Sequence, residues 1–579
     1  MADVALCGHG GGAARGDPLP RVGRTGGWAA PPAPESEVHS AMHDHLDTDV
    51  LVAGGGSVGL LTALFLARRG VRVVVAERAA APQRHPRAMG IGPRTVEVLR
   101  EAGLHEAVDA LCVDMRGSGL GMFSARTLAE ADLPALAAAA PPRAAEFDAV
   151  SPGALRGTCP QNRLDEVLLA EVRRLGAQVR FGAELTSLDQ DDRSVTAEVG
   201  GARVRARYLV GADGVRGAVR PAVGIGVSGP GPIGLPLVSA LFRADLLDLT
   251  GGRQFIVCDV TTPEAPGGLL PVDGRHEWIY HTRFDPSAGQ RVEDFTPSRC
   301  RALVRAAVGD PDREVEVVSV LPWQARGVLA DDFRAGRVFL VGDAAHVIPP
   351  VGAFGLNTGV ADAHNLAWKL AAVLRGEAGG ELLGTYGAER RPVAAEALRQ
   401  SVLRLGDPSL HWARGPEGAA KRAAAGAVNA PLVHLGYRYR SSAVLGGGAE
   451  PPSTEDVALA LNGDPGSRVP HAWVDGPEGR VSTVDLVAGG FAVLAGPEGA
   501  AWVEAAALAS GALGVPVRAR VLGGGSGLVP EARWPGVAGI GADGALLVRP
   551  DGFVAWRAER AGADPAGGLL RAMTAVLAR

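Results

Sequence analysis

Residues 49–77 constrain this chain more than any other stretch. TDVLVAG is followed by GGGSVG, then LLTALFLARRG, then VRVVVAER. The short apolar run predicts a buried strand, the longer one a helix stopped by Gly70, and the last a second strand finishing on Glu77. Gly54 permits a tight turn, and Gly56 lets the backbone approach a pyrophosphate. Gly59 lets helix and strand pack closely, so that the helix N-terminus meets the phosphates. Ser57 and Val58 complete that turn. Glu77, about 20 residues beyond the glycines, is placed to accept both ribose hydroxyls, with Arg78 beside it. The pattern predicts a β-α-β dinucleotide site, but the spacing does not separate FAD from NAD.

Two later segments repeat the theme of a strand running into an acidic turn. ARYLVGADGVRGAVR ends in Asp213-Gly214, with Arg216 and Arg220 behind it. RVFLVGDAAH ends in Asp343, and a loop dense in Gly and Pro, PPVGAFGLNTG, leads from it into a helix. Asp343 is read as a buried acid at its turn. Small residues in that loop suit backbone lying along a large, ribityl-bearing ring cofactor, and the helix starting near Gly355 would point its positive end at the ring.

With these three turns in this order, residues 49–399 resemble the class A flavoprotein monooxygenases, the para-hydroxybenzoate hydroxylase family. The resemblance implies FAD at all three turns, with Asp213 also serving the reductant, NADPH or NADH. It places Arg87 of PRAMGI at the pyrophosphate and Gln161 of TCPQNRLDEVLL at the cofactor. Gly355, Leu356 and Asn357 would meet the flavin, the latter two at its pyrimidine edge, and Pro350 would lie near the substrate. Asp165 and Gly217 depart from the family, which often has Glu and Ser there. His346 reads as a structural turn residue rather than a base, and Asp362, His364 and Asn365 as capping and packing residues. The implied reaction is reduction of FAD by NAD(P)H, then delivery of one oxygen atom from a flavin hydroperoxide to an electron-rich ring. No residue is assignable as catalytic.

Composition matters mainly for what it excludes. A chain of 579 residues exceeds one core. Net charge is −5 with no sustained basic run, which argues against a nucleic-acid partner. No apolar run approaches the length of about 18 needed to cross a membrane, and residues 221–242, though uncharged, are broken by Gly and Pro. Five scattered cysteines without metal spacing predict a cytoplasmic protein with no metal site.

The expected fold is α/β: an FAD-binding Rossmann-like domain (47–225 and 320–400) with an inserted antiparallel substrate sheet (226–319). A helical connector (401–465) and a thioredoxin-like domain (466–579) follow, and residues 1–46 are expected to be a disordered tail, with Met42 a candidate start. In the inserted sheet, Trp278 and Tyr280 share a face. They carry a pocket-lining expectation against the plainer reading as core. The C-terminal domain has no cysteine, so a structural or dimer-supporting role is expected and a homodimer is left open. GAFGLNTG, GYRYRSSAV and LVRPDGFVAWR are similar to segments of the aromatic polyketide hydroxylases of tetracenomycin and angucycline type. That implies a polycyclic aromatic substrate, phenol or quinone, with O2 as co-substrate. Two alternatives stay open: a Baeyer–Villiger oxygenase on the same fold, and a non-oxygenating flavin-binding pathway partner.

Overall fold

The computed structural model describes residues 45–116, 119–139, 147, 149–448 and 450–579. The expected tail and Met42 lie outside these, except that strand His45–Ala53 takes in the last two residues assigned to the tail. The first sheet is built on parallel strands in the order Gln178–Phe181, Val73–Glu77, His45–Ala53, Ala202–Gly211, Val338–Leu340. Val50, Leu51, Val52 and Ala53 are all buried, as an unbroken apolar strand covered on both faces must be. Helix Ser57–Ala67 is apolar nearly all round and buried from Gly59 to Leu66. It packs against helix Phe354–Leu374, whose residues from Asn357 to Ala372 are also buried.

The second sheet is six-stranded, in the order Glu316–Trp323, Leu237–Arg243, Glu277–Arg283, Gly267–Pro271, Phe255–Val260, Leu120–Ala125. Its membership is wider than the 226–319 insertion. One edge strand comes from within the stretch assigned to the cofactor domain, and the other runs past residue 319. Helix Pro297–Val308 covers one face, where Val304, Ala307 and Val308 join Phe242, Phe255 and Leu269 in a core.

The C-terminal residues form a β-α-β then β-β-α unit. Phe491–Ala495 pairs in parallel with Val517–Val521 and antiparallel with Ala545–Val548, which pairs in turn with Val554–Ala558. Helices Ala501–Leu513 and Pro565–Val576 cover one face, and their core extends onto Trp368 and Ala372 of the long helix. A buried ionic cluster ties the parts together. Glu389 accepts from Lys369 at 2.7 Å and from Arg549 at 2.6 and 2.8 Å, and Arg549 also pairs with Asp551 at 2.5 Å. Asn365 Nδ2 donates to both Glu389 and Asp551. Packing is therefore the right description of Asn365, but its partners lie 24 and 186 residues away.

Candidate active site

The site begins at the carboxyl edge of the parallel sheet, where open α/β folds bind ligands. Ala53, Gly211 and Leu340 are register neighbours on adjacent strands, so their turns leave the sheet side by side. The turns also touch. Gly54 has φ +109°, and a Cβ there would fall 2.2 Å from Ala212 O. A Cβ on Gly59 would fall 2.0 Å from Gly54 O. Val58 packs against Gly342 and Gly359, where added Cβ atoms would come within 3.1 and 2.7 Å of its methyl groups. Glycine is needed at these positions for close approach. Gly56 differs: it is exposed, has extended backbone, and nothing lies within 4 Å of where its Cβ would stand. Space is held open there, on the side a pyrophosphate would approach.

Around this edge the acids take different positions. Glu77 accepts from Gly55 N at 2.7 Å and Ala79 N at 2.8 Å, which orients its carboxylate across the first turn; Arg78 is exposed. Asp213 accepts from Val219 N at 2.9 Å through Oδ2, while Oδ1 has no partner among the described residues. Desolvation raises its pKa. A Cβ on Gly217 would fall 2.1 Å from that Oδ1, so the glycine that departs from the family pattern lets Asp213 fold back over its own turn. Asp343 corrects the sequence reading: its side chain is exposed, not buried. Surrounding protein still raises its pKa by desolvation, against the pull of His346 and Arg87, because protein packed around a carboxylate disfavours its charged form.

Gln161 and Arg87 stand beside the first turn. Gln161 Nε2 donates to Ser57 Oγ at 3.2 Å, and Ser57 Oγ donates to the buried Asp165. Desolvation raises Asp165 to about 6, opposed by Ser57 and Arg87. The loop holding Arg87 is tied down just beyond it: Cys159 N and Gln161 N donate to Met89 O and Ala88 O. Arg87 itself is exposed.

The same loop meets the N-terminus of helix Phe354–Leu374, and Asn357 makes the join. Its Oδ1 accepts from Gly92 N and Thr95 Oγ1, both at 2.7 Å, and its Nδ2 donates to Ala353 O and Gly90 O. The side chain is thus consumed by the protein, which would leave contact with a cofactor to the backbone. The first-turn N–H groups at Phe354, Gly355 and Leu356 are the ones a helix start leaves without intrahelical acceptors. The helix opens on a left-handed alanine, Ala353, at φ 54°. Pro350 is exposed on the loop before it, which Ser401 holds by donating to Pro349 O and Val351 O. His346 is buried and bonds Asp362 at 2.6 Å, and Arg390 bonds the other Asp362 oxygen at 2.8 Å. That is a structural role, as the sequence suggested.

The second sheet corrects the substrate residues. Trp278 and Tyr280 are 2% and 1% exposed, and their polar atoms donate to Ala244 O and Pro266 O. They belong to the core under helix Pro297–Val308. The opposite face carries Leu237, Ser239 and Leu241, with their register partners Arg283, His281 and Ile279 on one side and Trp323, Leu321 and Ser319 on the other. This face turns toward the cofactor loop, because His85 of that loop reaches Ser239 Oγ at 2.7 Å and Ser319 Oγ at 2.8 Å. Trp323 is 39% exposed and stacks on His281 at 6.4 Å. Five residues later, Val328 pairs with Val347, which enters the Pro349-Pro350 loop. His281 and Trp323 were not singled out from the sequence. The alternation in WIYHTR that put Trp278 and Tyr280 together also put His281 on the other face.

An open Gly56, an unpaired Asp213 Oδ1, an accessible Asp343 and a helix N-terminus gathered at one sheet edge fit FAD. A family model described as FAD binding domain matches residues 47–401, and one described as aromatic-ring hydroxylase, C-terminal, matches 462–579. Tetracenomycin B2 monooxygenase-dioxygenase of Streptomyces olivaceus is 41% identical, over 93% of this chain and 100% of the relative. Aklavinone 12-hydroxylase of Streptomyces purpurascens shows the same identity and the same shares. The crystal structure of aklavinone-11 hydroxylase with FAD and aklavinone superposes with a TM-score of 0.80 at 39% identity, covering 93% of this chain and 100% of that one. The chain belongs to the FAD-dependent aromatic-ring hydroxylases.

Proposed function

We propose that this protein is an FAD-dependent, NAD(P)H-consuming monooxygenase that hydroxylates a polycyclic aromatic polyketide, phenol or quinone. The observation that carries the reading is the convergence of three glycine-bearing turns at one sheet edge, faced across the cofactor loop by a partly apolar sheet surface. Bound there, FAD would accept hydride and activate dioxygen. The chain's own task is to hold, orient and shield. Gly54, Gly56, Ser57, Val58 and Gly59 form the pyrophosphate turn, with Glu77 and Arg78 at the adenosine end. Arg87 and Gln161 flank the phosphates, Asp213 serves both FAD and the reductant, and Asp343 approaches the ribityl chain. Gly355 and Leu356 offer backbone N–H groups at a helix N-terminus that the Asn357 side chain fixes in place, and the positive end of that helix favours negative charge on the ring.

Dioxygen is the co-substrate in this reading, and the compartment is cytoplasmic. No nucleic-acid partner is expected at a net charge of −5. Among the described residues no helix is long and apolar enough to cross a membrane. A homodimer supported by the C-terminal unit remains an expectation for sedimentation to check.

The test is anaerobic reduction by NADPH with a candidate polycyclic phenol, then oxygen admission and mass analysis. The expected product gains one oxygen atom with its rings intact. A ring-expanded lactone would replace hydroxylation by Baeyer–Villiger insertion, and flavin that never reduces would overturn the monooxygenase reading altogether.

A further inference from the structure

Two histidines lie on the cleft-facing side of the second sheet, and their hydrogen bonding separates them. His85 uses both ring nitrogens, on Ser239 and Ser319, and so acts as a clasp between loop and sheet. His281 is different. Its Nδ1 is shut away from solvent and has no partner among the described residues, which leaves Nε2 as the nitrogen that meets the cleft. Desolvation and the neighbouring His85 hold His281 down to about 4, so the ring is neutral near pH 7. A buried N–H without an acceptor is rarer and costlier than a buried lone pair. The favoured tautomer therefore carries its proton on Nε2, and His281 presents a donor to the cleft.

Its neighbours define what that donor meets. Trp323 stacks on His281 with 30° between ring planes, and Leu321, 36% exposed, is the register partner of Ser239 beside it. An exposed indole, an exposed leucine and one neutral donor on a flat sheet face match a flat, apolar molecule with an oxygen at its margin.

Resting on the hydroxylase reading above, we propose that Trp323 is the platform for the substrate's ring system. His281 then positions that ring by donating from Nε2–H to a phenolate oxygen. The group acts on orientation and on phenol ionisation, not as a base.

The probes are alizarin, which carries phenolic hydroxyls on an anthraquinone, and unsubstituted anthraquinone, with the full-length FAD-loaded protein. Wild type is expected to bind alizarin about tenfold or more tighter than anthraquinone. His281→Phe keeps an aromatic ring under Trp323 but no donor. It should erase most of that preference, leave anthraquinone binding and FAD content unchanged, and raise the pKa of bound alizarin, read from its visible band. His281→Gln, which keeps a donor, should restore part of the preference. Trp323→Ala should weaken both ligands by a similar factor, about tenfold. A preference for alizarin that survives in His281→Phe, with binding intact, overturns the subsite and leaves the hydroxylase reading standing. An FAD-loaded wild type that binds neither compound overturns both.

Discussion

A single methyl group separates the two kinds of glycine in the first turn. Gly56 has room for a Cβ and ordinary extended backbone, whereas Gly59 faces Gly54 O at a distance no Cβ tolerates. Gly56→Ala should therefore melt like wild type without flavin yet bind FAD at least about tenfold more weakly, because its methyl enters the ligand's space. Gly59→Ala should lose stability by about 2 kcal/mol through overpacking against backbone. Thermal unfolding of flavin-free protein and a flavin titration separate the two. At the third turn, Asp343→Ala should purify without FAD; stoichiometric flavin in that variant contradicts its placement. Asp165 carries a pH signature. Its folded pKa of about 6 exceeds the unfolded carboxylate value, so stability falls as pH rises from about 4 to about 6 and stays reduced above that. In flavin-free protein, Asp165→Asn should gain about 2 kcal/mol over wild type at pH 7 and almost nothing near pH 4. Urea titrations across that range check it, and a pH-independent difference would count against the assignment.

At the scale of elements, the helix Phe354–Leu374 is aimed by its first residues. Ala353 adopts a left-handed conformation that costs a non-glycine residue about 1 kcal/mol. The strain is held by the Asn357 bonds to the 90–95 loop and by Ala353 N donating to Pro350 O. Ala353→Gly should change stability by less than about 1 kcal/mol, since relief of strain is offset by a more flexible unfolded chain. Ala353→Val, β-branched at positive φ, should lose more than about 1 kcal/mol and weaken FAD binding by tilting the helix start. Denaturant midpoints with and without flavin read both effects. The neighbouring second sheet shows how parity governs function: a shift of one residue along Glu277–Arg283 exchanges the Trp278 core face for the His281 cleft face.

Over the whole molecule, a buried ionic cluster couples the cofactor region to the C-terminal unit. Lys369 is pulled down to about 8 by desolvation despite its pairing with Glu389, so its charge depends on that partner. Glu389→Gln should cost about 3–5 kcal/mol, because Lys369 and Arg549 are left buried with one carboxylate, Asp551, between them. The pair Glu389→Met with Lys369→Met should cost less than the sum of the singles, as neighbours sharing a bond do. Limited proteolysis within residues 401–465 should rise in Glu389→Gln as the C-terminal unit loosens. Unchanged cleavage would show that the apolar contact through Trp368 and Ala372 suffices.

How far residues alone carry the argument is visible in particular cases. The glycines of the first turn, the acids ending two later strands and the helix after the Pro-Pro loop were legible because each is a local demand of backbone geometry within a few residues. The alternation that pairs Trp278 with Tyr280 was legible too, but periodicity says nothing about which face helix Pro297–Val308 covers and which turns toward the loop holding Arg87. Asn357 was readable as a residue at the helix start, not as one whose side chain is spent on a loop more than 260 positions away. The sequence by itself determined the order of strands, turns and helices and the class of cofactor they suit, since those follow from short-range sterics and hydrogen bonding. Only the tertiary structure decided which sheet face meets the cleft, which acids stay accessible and which charges neutralise one another. Those outcomes depend on contacts between residues that are neighbours in space and strangers along the chain.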